Sequence, residues 1–80
     1  MPTVLRSGPY RVYFYNHEPK EPPHVHVDRD NLSAKFRLRP VALARNLGFP
    51  AQELRSIRAL IEEYQTHFLE VWNGHIGPQR

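Results

Sequence analysis

Eighty residues carry eleven lysines and arginines, eight aspartates and glutamates and five histidines, for a formal net charge of +3. That length has room for one small fold and buries only about 60–65% of its unfolded surface, while the absence of cysteine excludes disulfide staples, thiolate zinc sites and thiol nucleophiles. No segment approaches the ~18 consecutive apolar residues of a membrane span, and the first ten residues lack the apolar stretch of a secretory leader. These features predict a single soluble domain of the cytoplasm over residues 1–80, reinforced by a long packed helix, a bound metal or self-association.

In chain order, the apolar period is two from Thr3 to Arg39 and helical from Pro50 to Trp72. Thr3-Val4-Leu5-Arg6 reads as a short strand closed by the turn Ser7-Gly8-Pro9. Tyr10–Tyr15 reads as a second strand, with Tyr10, Val12 and Phe14 on one face and Arg11, Tyr13 and Tyr15 on the other. Asn16–Pro23 holds three of the eight prolines, which bars a central strand or helix interior and predicts an extended loop. His24–Asp28 and Ser33–Leu38 flank Arg29-Asp30-Asn31-Leu32, whose centre is made of turn formers. A hairpin there pairs Val25 with Phe36, Val27 with Ala34, His26 with Lys35 and His24 with Arg37. Apolar then faces apolar and polar faces polar, whereas a slip of one residue would oppose both valines to charges.

Beyond Pro40, residues 41–46 read as a short helix with Gly48 available as its C-terminal cap. A long helix over residues 50–72 follows, with Glu53 in its first turns and Asn73-Gly74 as its stop. Leu54, Ile57, Ile61, Tyr64, Phe68 and Val71 form its apolar stripe, and Arg58 can pair with Glu62. Such a helix is about 34 Å long and outruns a six-residue strand of ~20 Å. Phe68 and Trp72 are therefore expected to overhang the sheet and invite a second copy of the chain. Residues 74–80 are expected to fray. The fold class that results is α+β, an antiparallel sheet of three to four strands over residues 3–38 with both helices on one face.

Helices covering Val25, Val27, Ala34, Phe36 and Leu38 leave His24, His26, Lys35 and Arg37 on the opposite face, extended by Arg11, Tyr13 and Tyr15 if the first strands join the sheet. Three chemistries fit these residue types. His24 and His26 at i and i+2 could ligate one zinc ion with Asp28, but three or four ligands are needed, and His17, Glu18, His67 or His75 would have to complete the set. The same histidines could be the acid–base pair of a metal-independent endoribonuclease, with Lys35 and Arg37 stabilising the developing phosphorane charge. Arg11, Tyr13, Tyr15, His24, His26, Lys35 and Arg37 could instead bind single-stranded RNA or an acidic protein without catalysis, bases stacking on tyrosines amid cations. In the plainest alternative, the histidines hydrogen-bond backbone groups and fix the proline-rich loop. None of the readings requires a resident cofactor apart from the zinc alternative.

The stretches YRVYFYNHEPKEPPHVHV, AKFRLRPVALARNLGF, QELRSI and VWN resemble a small bacterial family, the Domain of Unknown Function 4160 family, over nearly the whole chain. The two histidines of its Pro-Pro-His-x-His pattern correspond to His24 and His26. The resemblance implies a small α+β protein of the bacterial cytoplasm and a component of a toxin–antitoxin-type pair, partnered by the product of an adjacent gene. It carries no established activity. After Trp72-Asn73 the sequence Gly74-His75-Ile76 departs from the acidic-aromatic stretch usual in that family.

Overall fold

The computed structural model describes residues 3–15 and 21–76, apart from the side chains of residues 75 and 76. Five strands come first: β1 (Thr3–Ser7), β2 (Tyr10–Tyr13), β3 (His24–Arg29), β4 (Leu32–Leu38) and β5 (Val41–Leu47). Helices α1 (Ala51–Glu63) and α2 (Gln65–Ile76) complete an α+β arrangement. The strands form one antiparallel sheet in the order β1-β2-β3-β4-β5, so each strand pairs with its neighbour in the chain.

The turns follow local chemistry. Gly8 supplies φ 56 between β1 and β2, and Asp30 supplies φ 55 between β3 and β4, the left-handed region that glycine and short polar side chains tolerate. The β3–β4 register is the one the polarity pattern predicts, His24 opposite Arg37 through Arg29 opposite Leu32. Val12, Val25, Val27, Ala34, Phe36 and Leu38 then share one buried face with Ile57, Ile61, Phe49 and Phe68 from the helical half. Arg58 and Glu62 stand 3.8 Å apart on the outer side of α1, as their spacing predicts.

Several expectations are corrected. Residues 41–46 are not a helix; Arg39 and Pro40 close a tight turn through a cis peptide bond, and the chain returns along β4 as a fifth strand. The ladder to β4 satisfies one side of its backbone and overrides the helical preference of Ala, Leu and Arg in that stretch. The sheet therefore has five strands and extends to Leu47, beyond the predicted three to four strands ending at Leu38.

The predicted continuous helix over residues 50–72 is two helices. Tyr64 leaves helical geometry at φ -106 and ψ 15 while its N–H still reaches the Leu60 carbonyl. After this break Gln65 donates through Nε2 to the Leu38 carbonyl, which ties the start of α2 to the end of β4. Phe68 and Trp72 consequently do not overhang: Trp72 is 0% exposed and packs on Phe14 at 5.4 Å and on His24 at 5.0 Å. α2 also runs to Ile76, past the stop expected at Asn73-Gly74; residues 77–80 of the expected frayed tail lie outside the described residues.

A polar clasp joins the far end of the β3–β4 hairpin to α1. Arg29 donates through Nε and Nη2 to the two oxygens of Glu53, and the Tyr10 hydroxyl donates to Oε2 at 2.8 Å. The bonds from Arg29 and then Tyr10 hold the Glu53 carboxyl below the usual carboxylate range, although partial burial opposes them. The glutamate that reads as a helix-start residue thus also anchors the helix to the sheet.

Candidate functional site

The helices cover one face of the sheet, and the ladders place defined rows on the other. Arg11, Asp28, Ser33 and Leu47 form one row across β2 to β5; Tyr13, His26, Lys35 and Arg45 form the next; His24, Arg37 and Ala42 form a third across β3 to β5. Between these rows lies an open concavity of about 510 Å³. Tyr13, Tyr15 and His26 make one wall, Ser33, Lys35 and Arg37 line the floor, and Ala44, Arg45 and Leu47 make the other wall.

The aromatic wall is internally braced. Tyr13 and His26 stack at 5.3 Å with 20° between their rings, and Tyr15 meets both edge-on at 5.8 and 4.9 Å. Arg11 lies over the outer face of Tyr13 at 4.7 Å while its Nε donates to the Thr3 hydroxyl. The Tyr13 hydroxyl donates to Asp28 at 3.0 Å; burial first, then that bond and charge, push its pKa well above the ordinary tyrosine range. Tyr13 therefore stays neutral throughout the physiological range and orients its neighbours.

The cations divide into two groups. Lys35 is paired with Glu21 at 2.8 Å, and Arg11 is occupied by Thr3 and Tyr13. Arg37 and Arg45 are exposed and make no ion pair among the described residues. Among the described residues, the concavity is lined by three lysine and arginine side chains and no carboxylate. It is a place where negative charge is stabilised beside aromatic rings.

Of the seven residues proposed from sequence, the structure brings Tyr13, Tyr15, His26, Lys35 and Arg37 to one concavity. Arg11 supports it from behind Tyr13. His24 departs from expectation: it is 1% exposed, its Nδ1 donates to the Pro22 carbonyl at 2.9 Å, and Nε2 faces Glu21 at 3.7 Å. The strand period points it to the open side, but Trp72, Pro22 and Glu21 pack around it. His24 and His26 meet edge-on at 5.1 Å, so the expected pair exists, with only His26 reaching the concavity.

Asp28, the third candidate metal ligand, is engaged by Tyr13. His67 packs beside Phe68 on α2, while His17 and Glu18 lie outside the described residues, as does the side chain of His75. Among the described residues no three histidine, aspartate or glutamate side chains are grouped to hold a metal ion. Sequence reasoning missed Arg45 by assigning it to a helix, and Leu47 because the predicted sheet ended at Leu38. The signal for them was Pro40 itself, since a two-residue turn at Arg39-Pro40 sets Leu38 opposite Val41 and Lys35 near Arg45.

A family model described as "Domain of unknown function (DUF4160)" matches residues 10–73. The chain belongs to that DUF4160 family. The DUF4160 match begins at β2, ends within α2 and contains every residue that lines the concavity. No curated protein and no solved structure matches the chain. No described helix is long and apolar enough to cross a membrane.

Proposed function

We propose that this protein is a non-catalytic binding component, of the toxin–antitoxin type, that holds single-stranded RNA in the concavity of its open sheet face. The observation that carries the RNA reading is the placement of two exposed arginines, Arg37 and Arg45, which make no ion pair among the described residues, across from an aromatic wall of Tyr13, Tyr15 and His26. β3 and β5 are two strand spacings apart, roughly 9–10 Å, which sets a stacking wall opposite a phosphate-binding wall. Bases stack on aromatic rings at about 1–3 kcal/mol each, and arginines neutralise the backbone. The pairing with a second gene product rests on the family resemblance, and the binding surface rests on the concavity.

Cleavage is the less favoured reading because only one of the two histidines faces the concavity. A metal-independent endoribonuclease needs both an acid and a base near the reacting phosphate. His24 instead spends Nδ1 on a backbone carbonyl, the structural role that the plainest sequence reading gives it.

Titration of a labelled single-stranded RNA at several salt concentrations tests the proposal. The wild type should bind with affinity falling steeply as salt rises, and the RNA should be recovered intact. The Arg37→Glu/Arg45→Glu double variant should lose binding, since two phosphate contacts become repulsions. Absence of RNA binding by the wild type, or binding unchanged in the double variant, overturns the reading.

A further inference from the structure

We infer that the outer edge of β5 is a docking strand for an acidic, extended segment of a partner protein. The inference concerns the edge of the sheet and does not require RNA binding on its face, although Arg37 and Arg45 serve both. β5 is last in the strand order, and its ladder to β4 uses one side only. Every residue from Leu43 to Gly48 is exposed. Among the described residues, the exposed large hydrophobics are Leu43 at 45% and Leu47 at 53%, both on this strand. The opposite edge behaves differently, for Val4 and Leu5 of β1 pack against the core.

An unpaired strand edge is a template for another strand, and proteins ordinarily blunt it. On β5 the Val41 carbonyl is taken by the Arg58 guanidinium at 3.3 Å. From Leu43 to Leu47 no side chain bonds the strand's backbone among the described residues. An irregularity in the β4–β5 ladder leaves Ala44 without a partner, so Leu43 opposes Phe36 while Arg45 opposes Lys35. Leu43 therefore lies toward the helix-covered side, and Arg45 and Leu47 toward the open side. An added strand meets apolar surface on both sides and a cation on one.

Charge decides the occupant. Arg45 on the strand, Arg37 on β4 and Arg39 in the turn are all exposed and make no ion pair among the described residues. A second copy would bring the same three arginines to the seam. Antiparallel pairing centred on Arg45 sets like charges opposite each other, and pairing centred on Ala44 sets Arg45 against Leu43. A segment alternating acidic and apolar residues sets its acidic face against Arg45 on the open side and its apolar face against Leu43 on the covered side.

The experiment titrates the isotopically labelled chain with a synthetic peptide of alternating valine and glutamate, and follows amide hydrogen exchange. The expected result is saturable protection of the amides of residues 43–47, with roughly tenfold weaker binding to Arg45→Glu. A valine–lysine peptide of equal length should give none. Three results overturn the inference: no protection at valine–glutamate peptide concentrations on the order of 1 mM, equal protection by the lysine peptide, or protection of these amides by oligouridylate in place of peptide. Protection that grows with the concentration of the chain alone also overturns it, in favour of a second copy. Failure of RNA to bind the open face leaves these readouts unchanged, so the two proposals fail separately.

Discussion

The two faces of the sheet use the same strands for opposite purposes. On the covered face Val25, Val27, Ala34, Phe36 and Leu38 are buried beneath Ile57, Ile61 and Phe68. On the other, one residue away along each strand, His26, Lys35, Arg37 and Arg45 line an open concavity. Because side chains alternate across a strand, one register sets both faces, and a slip would ruin both at once. The lesson is a division of labour: the apolar set supplies the stability, which leaves the polar set free to carry charge, at Arg37 and Arg45 without an ion pair among the described residues.

Changes on the covered side should therefore cost stability, and changes on the open side should cost binding. The largest expected effect is that of Phe36→Ala, which removes a fully buried ring at the centre of the covered face. A loss of about 3–5 kcal/mol is expected. Against a total of about 4–12 kcal/mol for a chain of this size, that is enough to leave the variant marginal in urea denaturation. A loss below about 1 kcal/mol would break the comparison.

Gly48→Ala should follow, at about 1–3 kcal/mol. Gly48 holds φ 105 where β5 turns toward α1, and an added Cβ would stand 2.5 Å from Leu32 Cδ2. The leucine tip can yield, but the backbone conformation remains unfavourable for any L side chain. Thermal melting of the variant checks this.

A smaller effect should appear as pH dependence. The Glu53 carboxyl is held below its ordinary range chiefly by its bonds from Arg29, so the folded state binds that proton less readily than the unfolded chain. The resulting stability is present above the unfolded glutamate value of about 4.3 and is lost as pH falls through the lower folded value. Melting temperature should fall more steeply on acidification for the wild type than for Glu53→Gln. Parallel curves would show that the clasp between hairpin and helix contributes nothing.

Much of this division was legible in the sequence. Val25, Val27, Ala34 and Phe36 alternate with His26, Lys35 and Arg37, which identified the hairpin register and the polarity of both faces. Residues 41–47 were not legible, because Val-Ala-Leu-Ala-Arg favours a helix locally and the pairing with β4 that decides the matter is irregular at Ala44. The basic wall of the concavity was hidden with them. Neither was the break at Tyr64 legible, since the apolar spacing from Leu54 to Phe68 continues through it. His24 was misplaced for a related reason: strand period gives the direction of a side chain, while the packing around this one includes Trp72, forty-eight positions along.

The smallest effect on stability should come from Arg37→Glu/Arg45→Glu, since both side chains are exposed and lie outside every described ion pair; a change within about 0.5 kcal/mol is expected. The same variant gives the most direct test of the central claim when its RNA affinity is measured beside its stability. The account predicts a folded protein of unchanged melting temperature that no longer binds single-stranded RNA, next to a wild type that binds it in a salt-dependent manner. Wild-type affinity retained by the folded double variant would contradict it.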